Sequence, residues 1–132
     1  MSSENKAALC EEAAVRLNKA EILARLDGDW QLLAELCDLA LAETPGMIEA
    51  LSAAIERQDA DAVHRAAHRL KGALSVLGDG PHIAAAVALE EMGRNRELAR
   101  ADDTFDRLKR LLGEFGVAVA ALGKEAYARA GG

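Results

Sequence analysis

The run Ala67-His68-Arg69-Leu70-Lys71-Gly72-Ala73 lies inside a longer stretch, residues 60–78, whose apolar residues recur with a helical period. At about 100° of turn per residue, Val63, Ala67, Leu70, Leu74 and Leu77 fall on one stripe, and His68 stands nearly opposite its centre. The imidazole is therefore expected to face solvent. Asp61, Arg65, Gly72 and Ser75 share its side, with His64 one turn before it and Lys71 just under one turn after. A helix interior normally avoids glycine, which costs about 1 kcal/mol relative to alanine, so Gly72, at the fourth position after His68, asks for a reason. Clearance for another surface is the expected one.

Outward from this helix, the Gly78-Asp79-Gly80 turn ends it, and Pro81, suited to a first helical position, opens another through Ile83, Val87 and Leu89 to about Asn95. A polar link, residues 94–100, leads to a long helix capped by Asp102 or Asp103, a placement the helix dipole favours. Its residues Phe105, Leu108, Leu112, Phe115, Val119 and Leu122 alternate spacings of three and four, the seam of a helix packed lengthwise on neighbours. On the N-terminal side Asp59 opens the histidine helix. Before it, Leu33, Leu36, Cys37, Ala40, Leu41, Thr44, Ile48, Leu51 and Ile55 keep a single stripe, which predicts one long helix from Trp30 to about Gln58. Pro45 and Gly46 interrupt it. Proline removes a helical hydrogen bond and crowds the carbonyl four residues earlier, so a kink at Glu43 to Thr44 is expected, rather than two abutting helices, because the stripe stays in phase. Asp29 caps this helix, and Trp30 is read as a packing residue at its start. Asn18, with Glu21 three positions on, caps a short helix through Ile22, Leu23 and Leu26.

Length and composition agree with a bundle. A chain of 132 residues with 51% hydrophobic composition can bury one real core. Aromatic residues are only 3%, and the apolar residues are mostly Ala and Leu, good helix formers without sheet-forming β-branched runs. The expected fold is all-α: an up-down four-helix bundle over residues 18–122, with an additional short N-terminal helix or helices, an N-terminal arm or helix at 1–17 and a loosely ordered tail at 123–132. The 22 acidic residues outnumber the 16 basic ones, for a net charge of -6, which argues against nucleic acid as partner. Cys10 and Cys37 form no metal or redox spacing and are expected to be reduced thiols. No secretory signal or membrane span is evident, so a cytoplasmic location is expected.

Neutral imidazole is a good nitrogen nucleophile near neutral pH, and attack on phosphorus is within its reach. Phosphoryl transfer asks a protein mainly for positioning and charge stabilisation, and Lys71 is placed to supply charge. The segment 67–73, with Leu77-Gly78 and Leu89-Glu90 downstream and Leu26-Asp27-Gly28-Asp29-Trp30-Gln31-Leu32-Leu33 upstream, resembles the histidine-containing phosphotransfer (HPt) domains of bacterial two-component relays, over residues 18–115. Residues 79–82 depart from that family's usual apolar continuation. The resemblance implies that His68 is the phosphoacceptor, that Lys71 steadies the phosphoryl group, and that Gly72 lets a receiver domain approach. Phosphate would pass reversibly between His68 and a receiver aspartate, with response-regulator receivers or a hybrid histidine kinase as partners. The receiver would supply Mg²⁺, so no cofactor is expected on this chain, which would be a carrier and not a kinase.

Around His68, the residues His64, Arg65, Gly72 and Ser75 are the candidates for touching a partner. The four-residue spacing of His64 and His68 could hold a metal between two imidazoles. A third and fourth ligand are not evident, since His82 lies beyond the Gly78 turn, and no metal site is expected. The last helix's seam would serve a monomer or a dimer, with a monomer expected. The competing reading is a non-catalytic helical adaptor that binds a receiver or regulator through the same exposed face.

Overall fold

In the computed structural model, which describes residues 14–131, five helices follow one another: α1 (Lys19–Arg25), α2 (Trp30–Glu56), α3 (Ala60–Ser75), α4 (Pro81–Arg94) and α5 (Ala101–Gly131). Local chemistry sets most of their starts. The side chains of Asn18, Asp29 and Asp59 each accept a hydrogen bond from the backbone N–H three residues on, at 3.0, 3.0 and 3.1 Å, which satisfies one of the donors a helix leaves open. α4 has no side-chain cap; Pro81 begins it, at the position where a missing N–H costs nothing. The chain reverses into α4 through Gly78 at φ 109°, a conformation natural to glycine.

The four long helices close a ring in which α2 packs on α3 and α5, and α4 packs on α3 and α5. The links at 57–59, 76–80 and 95–100 are short, so consecutive helices run antiparallel. α1 sits across one end and contributes Ile22 to the core. The expected stripe of α3 is the buried one: Val63, Ala67, Leu70, Leu74 and Leu77 are all within 2% of full burial. Phe115, Leu108 and Val119 face them from α5. α2 passes through Pro45 as one element, because Leu33 and Cys37 on one side of the proline and Leu51, Ala54 and Ile55 on the other are buried in the same core. The buried Cys37 thiol is pushed up to about 11 by desolvation, with Asp38 adding to the effect. Cys10 lies outside the described residues, as does most of the expected N-terminal arm.

Two boundaries differ from expectation. α5 starts at Ala101, so Asp102 and Asp103 occupy its first turn and do not cap it. The Arg100 carbonyl receives the Thr104 N–H at 3.1 Å, and Ala101 is fully buried, which draws the helix start one residue earlier. The expected loose tail is helical through Gly131. Partners far away in sequence hold it: Ala126 is buried, Glu125 pairs with Lys19 at 2.9 Å, the Tyr127 hydroxyl meets Asp38 at 3.3 Å, and the Arg129 guanidinium lies 5.0 Å from the Trp30 ring centre. Gly123 allows the approach, since a Cβ there would touch the Cys37 Cβ at 3.0 Å.

His82, one residue into α4, is 1% exposed and neither ring nitrogen has a hydrogen-bond partner. Its ring lies 5.0 Å from that of Phe115. Burial holds its pKa below the ordinary 6.5, and the charge of Asp79 opposes this only in part, so the ring sits in the core as a neutral aromatic.

Candidate functional site

His68 stands on the outer face of α3 with 62% of its side chain exposed. The apolar stripe fixes this direction, because burying Ala67 and Leu70 turns the two residues between them, His68 and Arg69, outward. Arg65, Gly72 and Ser75 share that exposed face, and His64 is half-buried beside it. Gly72 meets nothing within 4 Å of a would-be Cβ, so the protein's own packing does not require glycine there. The Ser75 hydroxyl is turned onto its own helix, donating to the Lys71 carbonyl at 2.7 Å.

The residue that organises the site comes from the neighbouring helix. Glu90 of α4 is 4% exposed. Its Oε2 lies 2.8 Å from His68 Nδ1, its Oε1 is 3.1 Å from Lys71 Nζ, and Arg94 approaches Oε2 at 3.7 Å. Desolvation alone would raise its pKa; the hydrogen bonds and charges of His68 and Lys71 outweigh it and hold the carboxyl below its ordinary 4.5. The carboxylate is therefore ionised and accepts from His68, which assigns the imidazole hydrogen to Nδ1 and leaves the Nε2 lone pair for the solvent side. Lys71, expected to supply charge beside His68, is engaged by Glu90, with 31% of its side chain exposed. The ammonium remains next to the imidazole because both are tied to the same carboxylate.

Close packing makes this reach possible. A Cβ on Gly93, one turn after Glu90, would lie 2.5 Å from the His64 backbone nitrogen and 2.7 Å from the Ala60 carbonyl oxygen. Only glycine lets α4 come this near to α3. At the same contact His64 Nδ1 lies 3.1 Å from the Glu90 carbonyl oxygen. Sequence reasoning reached Glu90 only through the Leu89-Glu90 resemblance, without a role. A signal was present: of the two acids, Glu90 and Glu91, that follow the apolar run Ala84-Ala85-Ala86-Val87-Ala88-Leu89, Glu90 shares the phase of Ile83, Ala86 and Gly93, which aims it at a core-side partner.

On the other flank of His68, α2 and α3 form a continuous surface of two characters. Arg57, Arg65 and Arg69 rim a groove floored by Met47, Ala50, Ala53, Ala62 and Ala66. Toward the other end of α3, Leu36, Leu39, Ala73 and Val76 form an apolar groove, in which Leu39 and Val76 are about half exposed. Among the described residues no group of three or more His, Cys, Asp or Glu side chains is arranged for a metal, and no helix is long and apolar enough to cross a membrane.

The fold and site together are a four-helix bundle with an outward imidazole, backed by a buried carboxylate and flanked by an ammonium group. The chain belongs to the Hpt-domain family, whose model matches residues 35–117. The crystal structure of histidine-containing phosphotransfer protein B (HptB) from Pseudomonas aeruginosa PAO1 is similar, with a TM-score of 0.71 and 27% identity, covering 86% of this chain and 96% of that one. No curated protein matches this chain.

Proposed function

We propose that this protein is a phosphorelay intermediate in which His68 takes a phosphoryl group from a receiver-domain aspartyl phosphate and passes it to another receiver. The observation that carries this reading is the 2.8 Å bond between His68 Nδ1 and Glu90 Oε2 on an otherwise exposed ring. Nε2 attacks phosphorus, the P–O bond to the aspartate breaks, and the electron pair leaves with the aspartyl carboxylate. The imidazole becomes cationic as the N–P bond forms, and Glu90 sits where that charge develops. Lys71 is close enough to share its ammonium between Glu90 and the arriving phosphoryl oxygens. The receiver brings the Mg²⁺ that its own acidic pocket binds, so this chain needs no cofactor and acts as a carrier without kinase activity.

The receiver docks over Gly72, where a bare backbone leaves room. The apolar Leu39 and Val76, and Arg65 with Arg69, flank that position from the α2 side, with His64 and Ser75 at the rim. The test is incubation with a radiolabelled, phosphorylated receiver. Acid-labile, base-stable label is expected on the wild type, none on His68→Gln, and slower transfer to Lys71→Ala. An unlabelled wild type that still binds the receiver would make this protein an adaptor, and equal labelling of His68→Gln would move the acceptor elsewhere.

A further inference from the structure

His64 and His68 stand one turn apart on α3 with their rings stacked, centroids 6.4 Å apart and planes 23° from parallel. Both Nδ1 atoms are taken by the same residue, His64 by the Glu90 backbone carbonyl at 3.1 Å and His68 by the Glu90 carboxylate at 2.8 Å. A carbonyl only accepts, so the hydrogen of His64 sits on Nδ1, as it does for His68. With the Nδ1 hydrogens so placed, Nε2 is left as the ligand nitrogen of each ring, and both rings stand on one helical face, each held from behind by an oxygen acceptor. Metal-ligating histidines have this arrangement of the remote nitrogen, and a four-residue spacing on a helix is one that holds zinc.

We propose that His64 and His68 form a two-imidazole site for a divalent transition ion of the zinc class, whose occupancy blocks Nε2 of His68 as a phosphoryl acceptor. The blocking rests on the function proposed above; the site does not. With Zn–N bonds of about 2.1 Å, two imidazoles on one ion have ring centres roughly 5 Å apart, so the pair closes from 6.4 Å by about 1.4 Å, a swing open to the exposed His68 ring. Water or a partner's group completes the shell, which makes the ion exchangeable and not structural. Lys71, tied to the same carboxylate as His68, and Arg65 and Arg69 nearby oppose a dication and keep the affinity modest. Magnesium, a hard ion that prefers oxygen ligands, does not compete for this site, so a relay running on receiver-bound Mg²⁺ would still respond to zinc.

The experiment titrates zinc chloride into the full-length protein by calorimetry, in a Cys10→Ser background that removes the thiol outside the described residues. One equivalent is expected to bind, at least tenfold more weakly in His64→Gln and in His68→Gln, with no heat from magnesium chloride. Circular dichroism confirms that both variants stay helical. Chemical phosphorylation by phosphoramidate, which needs no receiver, is then followed with and without zinc, each protein scored against its own zinc-free rate. Wild-type labelling is expected to stop on zinc addition and resume on chelation, with at least tenfold more zinc required for His64→Gln. Absence of binding, affinity unchanged in either variant, or labelling indifferent to bound zinc overturns the proposal. Failure of the wild type to be labelled without zinc would instead overturn the phosphoacceptor role, while calorimetry would still decide the site.

Discussion

Replacing Gly93 by alanine tests how the site is held together. The new Cβ would lie 2.5 Å from the His64 nitrogen, 2.7 Å from the Ala60 carbonyl oxygen and 2.9 Å from the His64 Cα. All three are backbone atoms of α3, so no side-chain rotation relieves the overlap and the two helices must part. Overpacking costs about 1–3 kcal/mol, and three backbone overlaps place this case near 3. Alanine's better helix propensity offsets about 1 kcal/mol, leaving a net loss of about 2. In a domain of this size that corresponds to a melting temperature lower by about 8 °C. Gly72→Ala is the matched control: nothing lies within 4 Å of its Cβ, so only the propensity term acts and the melting temperature should rise by about 4 °C. Thermal unfolding followed by circular dichroism reads both. Parting α3 from α4 also draws Glu90 away from His68, visible as a changed ¹⁵N tautomer pattern of the ring. A Gly93→Ala protein as stable as the wild type, or equal destabilisation of the Gly72→Ala protein, would refute the packing account.

Three further outcomes follow from buried groups. His82 has its pKa lowered by burial, so its contribution to stability is complete above 6.5 and is lost as pH falls through the folded-state value; His82→Leu should be more stable by about 1–2 kcal/mol at pH 7, from removing an unsatisfied polar group, and the gap should widen in urea titrations at pH 5.5. Glu90 is also depressed, by His68 and Lys71 against its own desolvation, so it stabilises above 4.5 and the effect fades in acid. Glu90→Gln should therefore differ most from the wild type at neutral pH, and a gap that grows below pH 4 would contradict the ionised-carboxylate assignment. Cys37, with its thiol pushed up to about 11 and its side chain fully buried, should resist alkylation at pH 8 in a Cys10→Ser protein until urea unfolds it; rapid native labelling would show the core to be open.

The course of the chain was legible because each helix states its own start and its own buried face. Asp59 followed by Val63, Ala67, Leu70 and Leu74 specifies a capped amphipathic helix through local hydrogen bonding and a 3.6-residue period, and those two facts alone turn His68 outward. The same local logic failed at both ends of α5. A seam that stops at Leu122 gives no sign that α1 and the beginning of α2 will cover the turns beyond it, and Asp102 or Asp103 is as good a cap on paper as the Arg100 carbonyl is in the folded chain.

The site divides along the same line. His68, Lys71 and Gly72 belong to one helix, so periodicity was enough to set them side by side, and the exposed imidazole is a property of the sequence itself. Glu90 and Gly93 belong to another helix, and no local period can say that a carboxylate on α4 will lie 2.8 Å from a ring on α3. That distance exists only because a glycine admits one backbone against another. The sequence determines which nitrogen-bearing side chain faces outward, whereas packing between helices decides which of its nitrogens is free to react.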